Sequence, residues 1–181
     1  MKHYVKKVLF LVLATMLCLS SFSGCHQAVE IDQNVDWSEI TDTPTDFIFP
    51  KRPPRLIVSD GETKISAWRG TSSWSVENSD GMTSGTSTDC ASPLSCKDNL
   101  SEITVSKRGK LALIFESAPT SITVKRYRLR TTNPDAFKNI AVNDNLMDAK
   151  AGNYIYVVKA TWNDTSAPYN GSAIYAFRTT R

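Results

Sequence analysis

The sequence predicts an all-β protein. It reads as a two-sheet β-sandwich of seven to eight strands over residues 55–181, behind a signal peptide and an extended tether. Three observations carry this reading. From Arg55 onward, short runs rich in Val, Ile, Thr, Tyr, Phe and Trp alternate with turn residues. The last two runs alternate apolar positions with a period of two. Ahead of Arg55 the composition is of a different kind: basic, then apolar, then acidic.

The N-terminus comes first. Met1–Lys7 is basic, residues 8–19 (VLFLVLATMLCL) are apolar, and residues 20–25 (SSFSGC) are small and end in a cysteine. A span of the membrane takes about 20 apolar residues, so this run is short for one. A charged start, an apolar centre and a small-residue exit read as a secretory signal over residues 1–24. Phe22-Ser23-Gly24-Cys25 looks like a bacterial lipobox, with Phe22 where Leu is usual. The lipobox implies that Cys25 is lipidated and becomes the first residue of an exported, membrane-anchored chain; an ordinary signal peptide with an incidental Cys25 is the plainer alternative. Two acyl chains on Cys25 give durable anchoring. The expected location is the extracytoplasmic face of the cell membrane. Residues 25–54 form the tether. Its Glu30, Asp32, Asp36, Glu39, Asp42 and Asp46 face no Lys or Arg before Lys51, a pattern that stays extended and solvated. Trp37, Ile40, Phe47, Ile48 and Phe49 are apolar enough to dock back onto the body. Pro50-Lys51-Arg52-Pro53-Pro54 marks the boundary.

The domain follows, with strands expected near 55–59, 63–69, 73–77, 101–106, 110–116, 121–130, 153–163 and 172–180. Asp60-Gly61 and Arg108-Gly109 read as hairpin turns, and Asn78-Ser79-Asp80-Gly81 as a third turn. Residues 80–90 read as a polar loop. Residues 134–150 read as one short helix, with Asn133 as its cap and Pro134 in its first turn. In 152–163, Tyr154, Tyr156, Val158, Ala160 and Trp162 share a face, and in 172–180 Ala173, Tyr175 and Phe177 do. The opposite faces are also apolar, which places this hairpin at the centre of a sheet.

Gly70-x-x-Ser73-Trp74, Asp89-x-x-x-Pro93-Leu94, a turn at Pro119, Gly152-x-Tyr154-x-Tyr156-x-Val158-x-Ala160-x-Trp162 and Tyr175-x-Phe177 occur in this order. Over roughly residues 68–180 the chain thereby resembles an uncharacterised Ig-like β-sandwich domain of Gram-positive cell-surface proteins, often lipoproteins. The resemblance implies a fold and a location. It carries no catalytic residues across, and the Cys90–Cys96 pair departs from its pattern.

Composition narrows the chemistry. The chain has 181 residues, 21 Lys+Arg and 18 Asp+Glu, and the signal takes three of the bases and none of the acids. The remainder is neutral, which argues against nucleic acid as a partner. One histidine, His26, follows the signal, so the body lacks a Ser-His-Asp or Cys-His unit and a His- or Cys-built zinc site. No phosphate-cradling glycine motif is present. No cofactor and no metal site are expected; Asn143-Asp144-Asn145 with Asp148 offers oxygens for calcium, against a plain polar turn. Cys90 and Cys96, five residues apart in an exported chain, read as a disulfide, with free thiols or a redox pair as alternatives.

Candidate ligand-binding residues are Trp68 and Trp74, which flank a turn or bulge, and Arg126, Arg128 and Arg130 on one face of a strand with Lys125 beside them. Lys107, Arg108 and Lys110 form a second basic group. The plain alternatives are aromatic packing and an edge strand guarded by charge. Asp80, Asp89, Asp98, Glu102 and Glu116 are the loop and strand-end carboxylates, with no pair singled out for hydrolysis. The expected function is a non-enzymatic binding or interaction module at the membrane surface. A carbohydrate or anionic wall-polymer binder is the alternative, and a carboxylate hydrolase comes third. Partners are the membrane, through the anchor, and a protein or wall polymer.

Overall fold

The computed structural model describes residues 51–181, apart from Ser79 and residues 106–108, and all of them belong to one compact unit. The signal, Cys25, the acidic segment with Trp37, Lys107 and Arg108 lie outside the described residues.

The described chain is all-β with two sheets packed on a shared core. Twelve strands run β1 Leu56–Ser59, β2 Lys64–Ser66, β3 Trp68–Glu77, β4 Thr83–Thr88, β5 Glu102–Thr104, β6 Lys110–Phe115, β7 Ser121–Arg128, β8 Phe137–Ile140, β9 Val142–Asn143, β10 Leu146–Asp148, β11 Tyr154–Trp162 and β12 Tyr169–Thr180. The small sheet has the order β2-β1-β6-β10-β9, and the large one β4-β3-β12-β11-β7-β8. Pairing is antiparallel except where β5 runs parallel to Arg178–Thr180, on the edge of β12 that β3 has left.

Strands outnumber the seven to eight expected because both sheets are finished with short edge strands that carry little apolar pattern. The Asp60-Gly61 turn is as expected: Gly61 sits at φ 100°, and the Asp60 carboxylate accepts the N–H groups of Glu62 and Thr63 at 3.0 and 2.7 Å. The turn at 78–81 also forms, with Gly81 at φ 78°. Beyond it the expected polar loop is instead strand β4, paired with Ser72–Glu77. All six of its residues are exposed, so no alternation marked it. Strands expected at 63–69 and 73–77 are β2 and one long β3. The irregularity between them is a bulge, with Gly70 and Thr71 facing Ile174 alone.

The helix expected over 134–150 is absent, and β8, β9 and β10 take its place. Asn133 does cap a turn, since its side-chain oxygen accepts the Asp135 N–H at 2.9 Å, but no helix follows. Asp144 and Asn145 sit at φ 49° and 61° between paired Asn143 and Leu146. Two consecutive left-handed residues make a type I′ hairpin and stop a helix.

The core lies between the sheets. Leu56, Val58, Leu111, Leu113 and Met147 from the small sheet meet Trp74, Tyr156, Val158, Tyr175 and Phe177 from the large one. Tyr156 stacks on Phe177 at 5.2 Å, and Trp74 meets Trp162 edge-on at 5.3 Å. The β11–β12 hairpin is central, as its two apolar faces predict. Its outer face holds a second cluster of Leu100, Tyr127, Ile155 and Ala176. The fold begins before residue 55: Pro53 and Pro54 are buried, and their carbonyls accept Arg69 Nη1–H at 2.7 Å and the Tyr175 hydroxyl.

Candidate functional site

Strand β7 alternates. Ile122 and Val124 turn to the core, Lys125 and Tyr127 to the outer face of the large sheet. Arg126 and Arg128 continue the core-facing row, but Arg126 is only half-buried and Arg128 is exposed. The basic strand is not an edge strand, contrary to the simpler reading of its charges: β8 pairs with Val124–Tyr127 on one side and β11 on the other. Arg130 leaves the row, because β7 ends at Arg128 and the chain turns there, with the Thr131 N–H bonding the Arg128 carbonyl at 3.0 Å.

Register builds the cluster. Lys138 on β8 stands directly opposite Arg126, and Tyr154 on β11 directly opposite Arg128. The Arg126 guanidinium lies 4.9 Å from the Tyr154 ring centre, and Lys150 Nζ lies 5.7 Å from the same ring. Two cations therefore lie against one half-buried aromatic ring, and register sets Arg128 and Lys138 on the same face beside them. No ion pair among the described residues involves any of the four. Like charges directly opposite in a sheet destabilise it, and the ring offsets only part of that, at about 0.5–1 kcal/mol for each exposed cation–π contact. An anion placed among the four would remove the repulsion. Lys138, Lys150 and Tyr154 were missed in the sequence: Lys138 and Lys150 fell in the supposed helix, and Tyr154 read as one more core position.

Among the described residues, Trp68, Trp74 and Trp162 do not form a sugar platform. Trp74 is 1% exposed, stacked on Tyr169 at 5.2 Å and set against Trp162, so it is a core residue rather than a ligand contact. Trp68 is half-buried in the outer cluster with its ring over Gly70, where an added Cβ would lie 2.7 Å from the ring.

Cys90 and Cys96 are free thiols, both half-buried, and not the expected disulfide. Hydrogen bonds close this segment instead. The Cys90 N–H donates to Thr71 Oγ1 at 3.2 Å, and the N–H groups of Ser95 and Cys96 donate to the Ser92 carbonyl at 2.8 and 3.1 Å. The turn at 92–96 leads directly into the 3-10 turn Lys97–Asn99.

The oxygen-rich run at 143–148 is the type I′ hairpin described above, and no metal-holding group of three His, Cys, Asp or Glu occurs among the described residues. Glu102 and Glu116 pair with Arg178 at 2.5 Å and Arg55 at 3.5 Å. A shallow groove of about 610 Å³ near Trp162 counts Glu77 and Asp164 among its lining residues. The Ser166 hydroxyl and N–H, 2.7 and 2.9 Å from Asp164, hold that carboxyl below its usual range. A proton donor needs the opposite shift.

Among known protein families, curated proteins and solved structures, no match to this chain is found. The resemblance to surface lipoprotein domains therefore rests on the residues quoted for it.

Proposed function

We propose that this protein is a lipid-anchored surface protein whose Ig-like domain is a non-enzymatic binding module for anionic polymers. The observation that carries the ligand class is the cluster of Arg126, Arg128, Lys138 and Lys150 beside Tyr154, which holds four positive charges without an acidic partner among the described residues. The overall charge of residues 25–181 is zero, so the attraction is local and the ligand is read by this patch rather than by the whole molecule. The lipobox-like Phe22–Cys25 supports the anchor and the extracytoplasmic location. A membrane-tethered domain meets wall polymers and lipid headgroups at close range.

The test is thermal unfolding with inorganic polyphosphate as the anionic polymer and dextran as the neutral one. Polyphosphate at a hundred times its dissociation constant should add about 2.7 kcal/mol of stability. The rise should shrink as salt is raised, vanish in the Arg128→Ala/Lys138→Ala double variant, and not occur with dextran. A rise that survives the double variant, or none at all, overturns the site. Cys25→Ser tests the anchor separately: the protein should move from the membrane fraction to the soluble one, and unchanged partitioning would refute it.

A further inference from the structure

The outer face of the small sheet is buried, yet no described hydrophobic side chain from outside the sheet packs against its apolar cluster. Ile57, Ala112 and Ile114 form this face, at 3%, 0% and 5% exposure, with Ser59 at 1%. The one partly buried hydrophobic side chain packed against them among the described residues is Leu146, their own neighbour in the same sheet. The long connections cover other ground: Leu94, Leu100 and Leu129 pack on the outer cluster of the large sheet. Around the apolar strip the same face turns polar, with exposed Lys64 and Ser66 on β2, Lys110 on β6 and Asp148 on β10.

We infer that the chain's own segment 37–49 covers this face as a strap, with Trp37, Ile40, Phe47, Ile48 and Phe49 on the Ile57–Ala112–Ile114 strip. Continuity and chemistry both point to it. Phe49 precedes Ile57 by eight residues, so the segment is delivered to the strand that carries the strip. An extended run alternates its side chains, which sets Phe47 and Phe49 toward one surface. Segment 37–49 carries Glu39, Asp42 and Asp46 and no Lys or Arg, and the strip is flanked by Lys64 and Lys110, with Asp148 opposite Lys110. A segment that served only as a solvated spacer would have no use for five large apolar residues.

The strap shortens the tether. A free segment from residue 26 to 50 spans at most about 85 Å, whereas residues 26–36 alone span at most about 38 Å. With the proposed lipid at Cys25, the strap therefore holds the domain close to the membrane. The docking itself does not depend on the lipid or on the anionic ligand.

Hydrogen exchange on the full chain in detergent tests the strap, with exchange of residues 37–49 expected at least tenfold slower than in an unfolded chain. The Phe47→Ser/Phe49→Ser variant should bring these amides to within twofold of unfolded rates. It should also raise binding of a hydrophobic dye at least threefold, while the near-ultraviolet signal of the Trp74–Trp162 pair persists. Unfolded-chain rates in the unaltered protein overturn the inference. So does protection that the variant leaves intact, and so does a dimeric mass that names a second copy as the cover.

Discussion

At the scale of single residues, two positions hold the sheets in place. Gly171 sits at φ 151° between Trp74 and Trp162, and an added Cβ would fall 2.2 Å from the Ser73 carbonyl oxygen. That oxygen belongs to a paired strand and has no room to retreat. Gly171→Ala should cost about 3 kcal/mol and lower the melting temperature by about 10 °C, readable by calorimetry. Tyr175 is fully buried and donates its hydroxyl to the Pro54 carbonyl. Burial pushes that hydroxyl well above its ordinary 10.0. The unfolded chain releases the proton above pH 10 and the folded chain keeps it, so stability is full below pH 10 and falls as pH rises past it. Burial and Asp135 shift Tyr127 in the same direction. Tyr175→Phe should lower stability at pH 7 by about 1–2 kcal/mol and flatten the alkaline decline. A decline of unchanged slope in denaturant titrations at pH 9–12 would refute the assignment.

At the scale of elements, hairpin chemistry separates the structure from the helix read over residues 134–150. The apolar spacing there fits either form, and what decides is Asp144-Asn145, both left-handed. Asn145→Gly should be neutral or slightly stabilising, whereas Asn145→Val should cost about 1–2 kcal/mol, measured by urea denaturation. The basic row on β7 teaches the same lesson from the other side. Its charges are plain in the sequence, but their neighbours are not, because Lys138 meets Arg126 through a strand pairing that the helix reading hid. Strand β4 has no apolar alternation at all and exists because β3 offers it an unpaired edge.

At the scale of the whole molecule, stability comes from one aromatic-rich core closed without a covalent staple among the described residues. Trp74 and Trp162 meet there with Phe115, which also contacts Tyr175 at 5.8 Å. Trp74→Ala should therefore cost about 3–5 kcal/mol as a loss of fold, not of ligand contact. Cys90 and Cys96 are free thiols, so a reductant should leave the melting temperature within about 1 °C, and Cys90→Ser/Cys96→Ser should cost under about 1 kcal/mol. A fall of several degrees on reduction would show a bridge in the folded protein.

The sequence by itself determined the fold class, the central place of the β11–β12 hairpin, and the turns at Asp60-Gly61 and 78–81. These features are local: a period of two and a turn residue act within a few positions of each other. Tertiary structure alone decided that Trp74 is buried while Trp68 is half-buried, that β7 is flanked on both sides, and that Tyr154, Lys138 and Lys150 join the arginines. Each of those depends on strand register. Register is set by which apolar faces bury against each other across the molecule, and no short stretch of sequence contains both partners.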